Sequence, residues 1–192
     1  MKKLFVLLFA ASAALSSLNA SAQDNWTADK AHSKLGFSIT HMMVSDVEGA
    51  FKTFESTIVS SKPDFSDAVI NLSADVNSVN TDDDKRDGHL KSADFFDAEK
   101  YPKLTFKSTS VKKVAANKYK VAGLLTLHGV TKPVVLDAVL RGTTVNMAKK
   151  TVAGFKVTGT IKRADFALGA KYPNAMLSDE IALNANTEFV KN

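Results

Sequence analysis

The chain reads as a mainly β protein built as an antiparallel barrel. Three observations carry that reading. Apolar and polar residues alternate with period two in six separate segments, the pattern of antiparallel strands with one buried face and one wet face. Turn-forming residues separate these segments at fairly even spacing. The apolar sets also hold small residues, namely Ala74, Gly123, Ala138, Gly159 and Ala185, where a sandwich core takes larger side chains. Small inward positions suit strand coiling in a barrel, or a lumen left open for a ligand.

The elements follow in order. Residues 1–22 carry two lysines, a short apolar run and a small-residue ending at Ala20-Ser21-Ala22, the pattern of a cleavable signal peptide with its cut before Gln23. The apolar run is too short for a membrane span, so export without stable membrane insertion is expected. Residues 23–192 form a single domain, because no linker, repeat or composition shift divides them. A short strand is expected at Trp26–Ala28, then one with Leu35, Phe37 and Ile39 on one face. His41–Gly49 is a short excursion, and Gly49–Val59 the next strand. Ala68, Ile70, Leu72, Ala74 and Val76 share a face. Residues of about 81–92 form a helix covering one barrel end, capped by Asn80 or Thr81, with Asp82, Asp83 and Asp84 favouring its positive end. Gly88 weakens that helix, and Leu90, Phe95 and Phe96 give the cover an apolar underside. Strands follow at Lys103–Val114, then with Tyr119 to Leu127, Val134 to Leu140, Phe155 to Ile161 and Ile181 to Phe189 as the inward sets. The total is about eight or nine strands.

Composition excludes several functions. The formal charge of +5 falls to +3 without Lys2 and Lys3, too mild for a nucleic-acid binder. The acid-rich stretch Lys62–Lys100 and the base-rich stretch Lys107–Lys171 read as solvated outward faces. No cysteine is present, so the fold uses neither disulfides nor a thiol nucleophile. A calcium loop starting at Asp82 fails at its fifth, sixth and twelfth positions, which are Arg86, Asp87 and Ala93. The four histidines show no zinc spacing. There is no G-x-S-x-G elbow and no phosphate loop. No metal, cofactor or catalytic residue is expected, which leaves a binding protein.

The segments "WTADKAHSKLGFSITHMMVSDVEGAFKTF", "KRDGHLKSADFFDAEKYPKLTFKST", "GLLTLHGVTKPVVL", "GTIKRADFALGAK" and "LSDEIALNANTEFVK" resemble, in this order, the motifs of the YceI-like family. One departure is Ala167, where the family motif has glycine after the phenylalanine. The resemblance implies an extended, eight-stranded, lipocalin-like antiparallel barrel with a helix near one end. It implies a lumen holding a long isoprenoid, such as a polyprenyl phosphate or an isoprenoid quinone relative, in a periplasmic and often dimeric protein. A dimer would use outward apolar residues such as Val135 and Val139. Two rival functions are an enzyme of isoprenoid or quinone metabolism at the barrel mouth, and a stress-response interaction protein without a ligand.

Burying one CH₂ contributes about 0.8 kcal/mol, so ten carbons of a prenyl tail supply about 8 kcal/mol before ordering costs. A head-group hydrogen bond adds about 1 kcal/mol. The expected tail contacts are Phe37, Ile39, Phe51, Phe54, Leu72, Phe106, Leu125 and Phe155, with Phe166 also facing inward. Arg86 and His89 are expected at the polar end, with Arg163 a weaker candidate whose other role is a pair with Asp165 or another carboxylate. An Arg86–Asp87 ion pair is the corresponding alternative for Arg86. His32 and His41 read as structural hydrogen-bonders.

Overall fold

Eleven strand segments make one continuous sheet. They are β1 (Asp24–Ala28), β2 (Lys34–His41), β3 (Ser45–Phe51), β4 (Phe54–Ser60), β5 (Val69–Asp75), β6 (Val79–Asn80), β7 (Lys103–Ala115), β8 (Lys118–Leu127), β9 (Val130–Val145), β10 (Thr151–Lys162) and β11 (Leu177–Lys191). The helix α1 spans Asp84–Lys91. The structure is a computed structural model, and it describes residues 23–192. The expected signal peptide, 1–22, lies outside the described residues.

Three pairs of segments are single barrel strands with an interruption. β1 and β2 both pair with β11, β3 and β4 with β2 and β1, and β5 and β6 with β4 and β3. Joining the pairs leaves eight strands, each antiparallel to its neighbours in chain order, closed where the first meets β11. Closure leaves no unpaired sheet edge, which is what a chain of half-buried strands needs. The interruptions brace one another. Lys52 N–H donates to Ser78 O at 3.0 Å, Thr53 N–H to Ser78 Oγ at 2.9 Å, and Asp75 N–H to Thr53 O at 2.9 Å.

The break at Lys52–Thr53 corrects the single strand expected over Gly49–Val59. It also explains how Phe51 and Phe54 both point inward. Residues three apart face opposite sides of an unbroken strand, and the extra residue restores the parity. The expected excursion His41–Gly49 is likewise mostly strand, with a tight hairpin at Met42–Val44.

The glycines do not hold the lumen open. A Cβ on Gly123 would strike the Phe106 ring, and one on Gly159 the Leu136 side chain, so each makes room for a large inward neighbour. Phe166 is also corrected. It is 1% exposed in a 3-10 turn beside β9 and does not line the central cavity.

Helix α1 is shorter than expected, two turns rather than three. Asp82 takes a left-handed φ of 61°, which ends any helix N-terminal to it. Asp83 is the cap, accepting from Arg86 N–H at 2.9 Å, and Asp84 lies in the first turn. Thr81 is held instead by the buried Asp87 carboxylate, through its N–H at 2.8 Å and its hydroxyl at 2.6 Å. No helix among the described residues is long and apolar enough to cross a membrane.

Candidate functional site: a central cavity with one closed end

The barrel encloses a cavity of about 440 Å³, within the range of small-molecule sites. Its walls come from the inward faces of the strands. Leu35, Ile70, Val121, Leu136, Val157 and Leu183 join the sequence-expected Phe37, Ile39, Phe51, Phe54, Leu72, Phe106, Leu125 and Phe155. The structure therefore brings all eight expected apolar residues onto one lining. The buried wall hydroxyl of Ser56 is satisfied by Asn71 O at 2.9 Å.

One end is a floor of aromatic rings. Phe65 comes from the β4–β5 connection and packs tilted against Trp26 at 5.1 Å and edge-on against Phe155 at 5.2 Å, and Phe155 meets Phe189 at 6.0 Å. The connection is pinned on both sides of the ring. Tyr119 donates its hydroxyl to Asp64 O at 2.6 Å, Lys113 Nζ meets the Asp64 carboxylate at 2.8 Å, and Asp67 accepts from Ser60 Oγ and Ser61 N–H at 2.5 and 2.9 Å. The Lys113 hydrogen bond holds Asp64 down at about 2, and burial pushes the Tyr119 phenol up. Phe65 itself has a φ of 56°, an uncommon conformation for a bulky residue, sustained by these contacts.

The other end is a mouth covered by two connections, residues 81–102 with α1 and residues 163–176. Arg86, His89 and Arg163 all line it, together with Thr81, Phe95 and Tyr172. Their chemistry differs. Arg163 is 4% exposed and its fork is spent on the chain: Nη1 donates to Leu168 O and Gly169 O at 2.7 and 2.6 Å, and Nη2 to Tyr172 O at 2.9 Å, with longer bonds to Leu177 O and Ser178 O. No carboxylate pairs with it among the described residues, so the expected ion pair is replaced by carbonyls that set the shape of 163–178.

Arg86 is half-buried, and among the described residues its guanidinium bonds only to Thr81, through Nε to the hydroxyl at 2.8 Å and Nη2 to the carbonyl at 2.8 Å. Asp87 turns to Thr81 instead of pairing with it, and Arg86 Nη1 has no protein partner among the described residues. His89 is exposed and meets Asp94 at 3.0 Å and the Tyr172 hydroxyl at 3.2 Å. Lys171 reaches the same Asp94 carboxylate at 2.5 Å, and Phe95 stacks on Tyr172 at 5.2 Å. These contacts join the two covering connections. The Lys171 bond, then that of His89, holds Asp94 below its ordinary range, and Asp94 in turn raises Lys171.

Several lining residues were not visible in the sequence pattern. Phe65 and Tyr172 lie outside strands, where alternation gives no facing; the only signal was an aromatic in an otherwise polar turn, "KPDFSD" or "AKYPN". His41 sits at the mouth, whereas His32 lies at the β1–β2 turn and meets Asp29 at 2.9 Å. Asp29, His32 and Glu188 bring their ligand-type atoms within 4.8 Å of one another. The hydrogen bonds of Asp29 to His32 and to Ala31 N–H account for that turn.

The family model of the YceI-like domain matches residues 26–189. The chain belongs to the YceI-like family. A UPF0312 protein of Staphylococcus aureus is 36% identical over 170 residues, covering 86% of this chain and 96% of the relative. The crystal structure of a Campylobacter jejuni YceI protein superposes with a TM-score of 0.73 at 37% identity, over 85% of this chain and 96% of that one. A polyisoprenoid binding domain from Saccharophagus degradans, implicated in plant cell wall breakdown, has a TM-score of 0.65 at 19% identity, covering 87% and 98%. At that identity the likeness is one of architecture. The YceI-like barrel is thus the frame in which this cavity sits.

Proposed function

We propose that this protein is an exported carrier that holds a long isoprenoid chain, of the polyprenyl phosphate or isoprenoid quinone class, with its tail in the barrel and its polar end at the mouth. The observation that carries the reading is the cavity: an apolar lining, continuous from an aromatic floor to a mouth where Arg86 Nη1 has no protein partner among the described residues. A polar substrate would leave its own hydrogen-bonding groups unmet along such walls, at about 1–3 kcal/mol each. A branched hydrocarbon gains about 25 cal/mol per Å² buried there.

In this reading Phe37, Ile39, Phe51, Phe54, Leu72, Phe106, Leu125 and Phe155 contact the tail, and Arg86 and His89 face the head. Arg163 builds the mouth rather than reading the ligand, because its donors are already taken. The protein binds and releases without turning the ligand over. Export through the leader at 1–22 places it in the periplasm of a two-membrane cell.

Native mass spectrometry of gently purified protein tests this. The expected result is one co-purified isoprenoid per barrel, released by solvent extraction. A barrel that purifies without lipid and takes up no prenyl alcohol or quinone on titration contradicts it.

A further inference from the structure

The hairpin joining β2 to β3 stands at the mouth and is built against the usual rules. Val44 N–H donates to His41 O at 3.1 Å, so Met42 and Met43 are the two central residues of a tight turn, with φ of 50° and 60°. Both central positions left-handed is the type I′ pattern, which strongly favours Asn-Gly. Two unbranched apolar side chains at these positions are strained, and they are also exposed. Met42 is 57% exposed, Met43 68% and Val44 84%. Met176, 44% exposed, joins them, its carbonyl accepting from Met42 N–H at 2.9 Å. Met176 and the adjacent His41 also line the cavity.

The sequence thus gives up turn propensity and surface polarity at the same point, beside the opening. Directly behind the tip the outward residues are polar again: Thr40 donates to Asp46 at 2.7 Å, and Glu48 is exposed. The apolar part is one turn deep with a sharp polar boundary. That suits shallow insertion among lipid headgroups, where apolar faces sink about 5–10 Å. It does not suit a stable protein interface, which engages about 20–30 residues a side. Methionine's flexible thioether adapts to an irregular apolar surface.

We propose that the Met42–Val44 tip, with Met176, docks the barrel mouth on a lipid bilayer, so that the chain passes between membrane and cavity without crossing water. The proposal rests on the lipid-carrier reading for its purpose, and its test separates the two.

Full-length mature protein is floated with vesicles of phosphatidylethanolamine and phosphatidylglycerol. Uptake of a dispersed prenyl quinone is measured separately without vesicles. The wild type is expected to float with vesicles, and to do so still at about 1 M salt, where charge attraction is screened beyond about 3 Å. The double variant Met42→Asn, Met43→Gly fits the turn better, so its Tm should hold or rise. Its vesicle binding should fall about tenfold or more, while uptake of the dispersed quinone stays at wild-type level. Val44→Ser, outside the left-handed positions, serves as a second variant and should weaken binding in the same direction.

A wild type that does not float, one that self-associates through the tip instead, or variants that bind vesicles as well as the wild type would overturn the docking proposal. Loss of quinone uptake in the wild type itself would overturn the carrier reading, independently of the vesicle result.

Discussion

The two ends of the barrel are made differently. The floor is a plug: Phe65 is held upward by hydrogen bonds on either side of it, and its ring packs on Trp26 and Phe155. The mouth is two connections leaning on each other through partly exposed groups, His89, Asp94, Lys171 and Tyr172. Exposed ion pairs contribute little, about 0–1 kcal/mol each, whereas buried packing of large rings contributes several. The mouth is therefore the more weakly held end. On the proposed carrier reading, a chain enters there and the floor limits its length. Arg163 marks the boundary between these regimes, since it is buried yet belongs to the mouth.

The largest effect is expected from Arg163→Met, which acts on the mouth alone. It leaves several buried carbonyls unpaired, each at about 1–3 kcal/mol, so a loss of about 5 kcal/mol in denaturant unfolding is expected. Hydrogen exchange should rise in 163–178 and leave the floor protected. Uniform loss of protection over the whole barrel would show that the two ends are not separable.

Phe65→Ala comes next. Removing a buried aromatic costs about 3 kcal/mol or more, and the variant should accept longer isoprenoid chains than the wild type. Unchanged chain-length preference would remove Phe65 from the floor's role.

Ala167 tests the mouth at smaller scale. It has a φ of 53° and ψ of 29° directly after Phe166, a left-handed conformation that favours glycine. Left-handed backbone costs an L-residue about 1–2 kcal/mol, partly offset by glycine's greater freedom when unfolded. Ala167→Gly should therefore raise stability by up to about 1 kcal/mol, read from the Tm; a fall in Tm would mean that the methyl group packs usefully.

The smallest effect is one of pH at the floor. The Asp64 carboxyl lies below its ordinary value, at about 2, so its contribution is present above the ordinary carboxylate pKa of 3.8 and is lost as pH falls toward 2. Trp26, the single tryptophan, packs on Phe65 and reports that loss by fluorescence. In Asp64→Asn the pH 4-to-2 component of the change should disappear. A wild-type signal that persists unaltered in the variant would assign it to other groups.

How far the sequence revealed this molecule follows from its strand periodicity. Residues such as Leu72, Leu125 and Phe155 sit in regular strands, where period two fixes the facing, and they line the cavity as expected. Phe51 and Phe54 both line the cavity, which the one unbroken strand expected over Gly49–Val59 cannot achieve; the mutual bracing of Lys52, Thr53 and Ser78 is a tertiary effect that no local pattern displays. Phe65 and Tyr172 escaped because irregular backbone aims a side chain through distant hydrogen bonds. The acid run pointed to a helix start but not to which residue caps it, a choice made by the left-handed turn at Asp82 and by Asp87 gripping Thr81. Arg163 and Arg86 looked alike in sequence. Five carbonyls surround Arg163, whereas Arg86 meets one, Thr81 O, and its Nη1 has no protein partner among the described residues.

If hydrocarbon burial in the lumen, limited by the floor, sets affinity, calorimetric titration of delipidated protein with prenyl alcohols of increasing length will show it. Affinity should rise by up to about fourfold per buried CH₂, equivalent to about 0.8 kcal/mol, until the chain meets Phe65, and then level. Affinity independent of chain length, or no binding at any length, would contradict it.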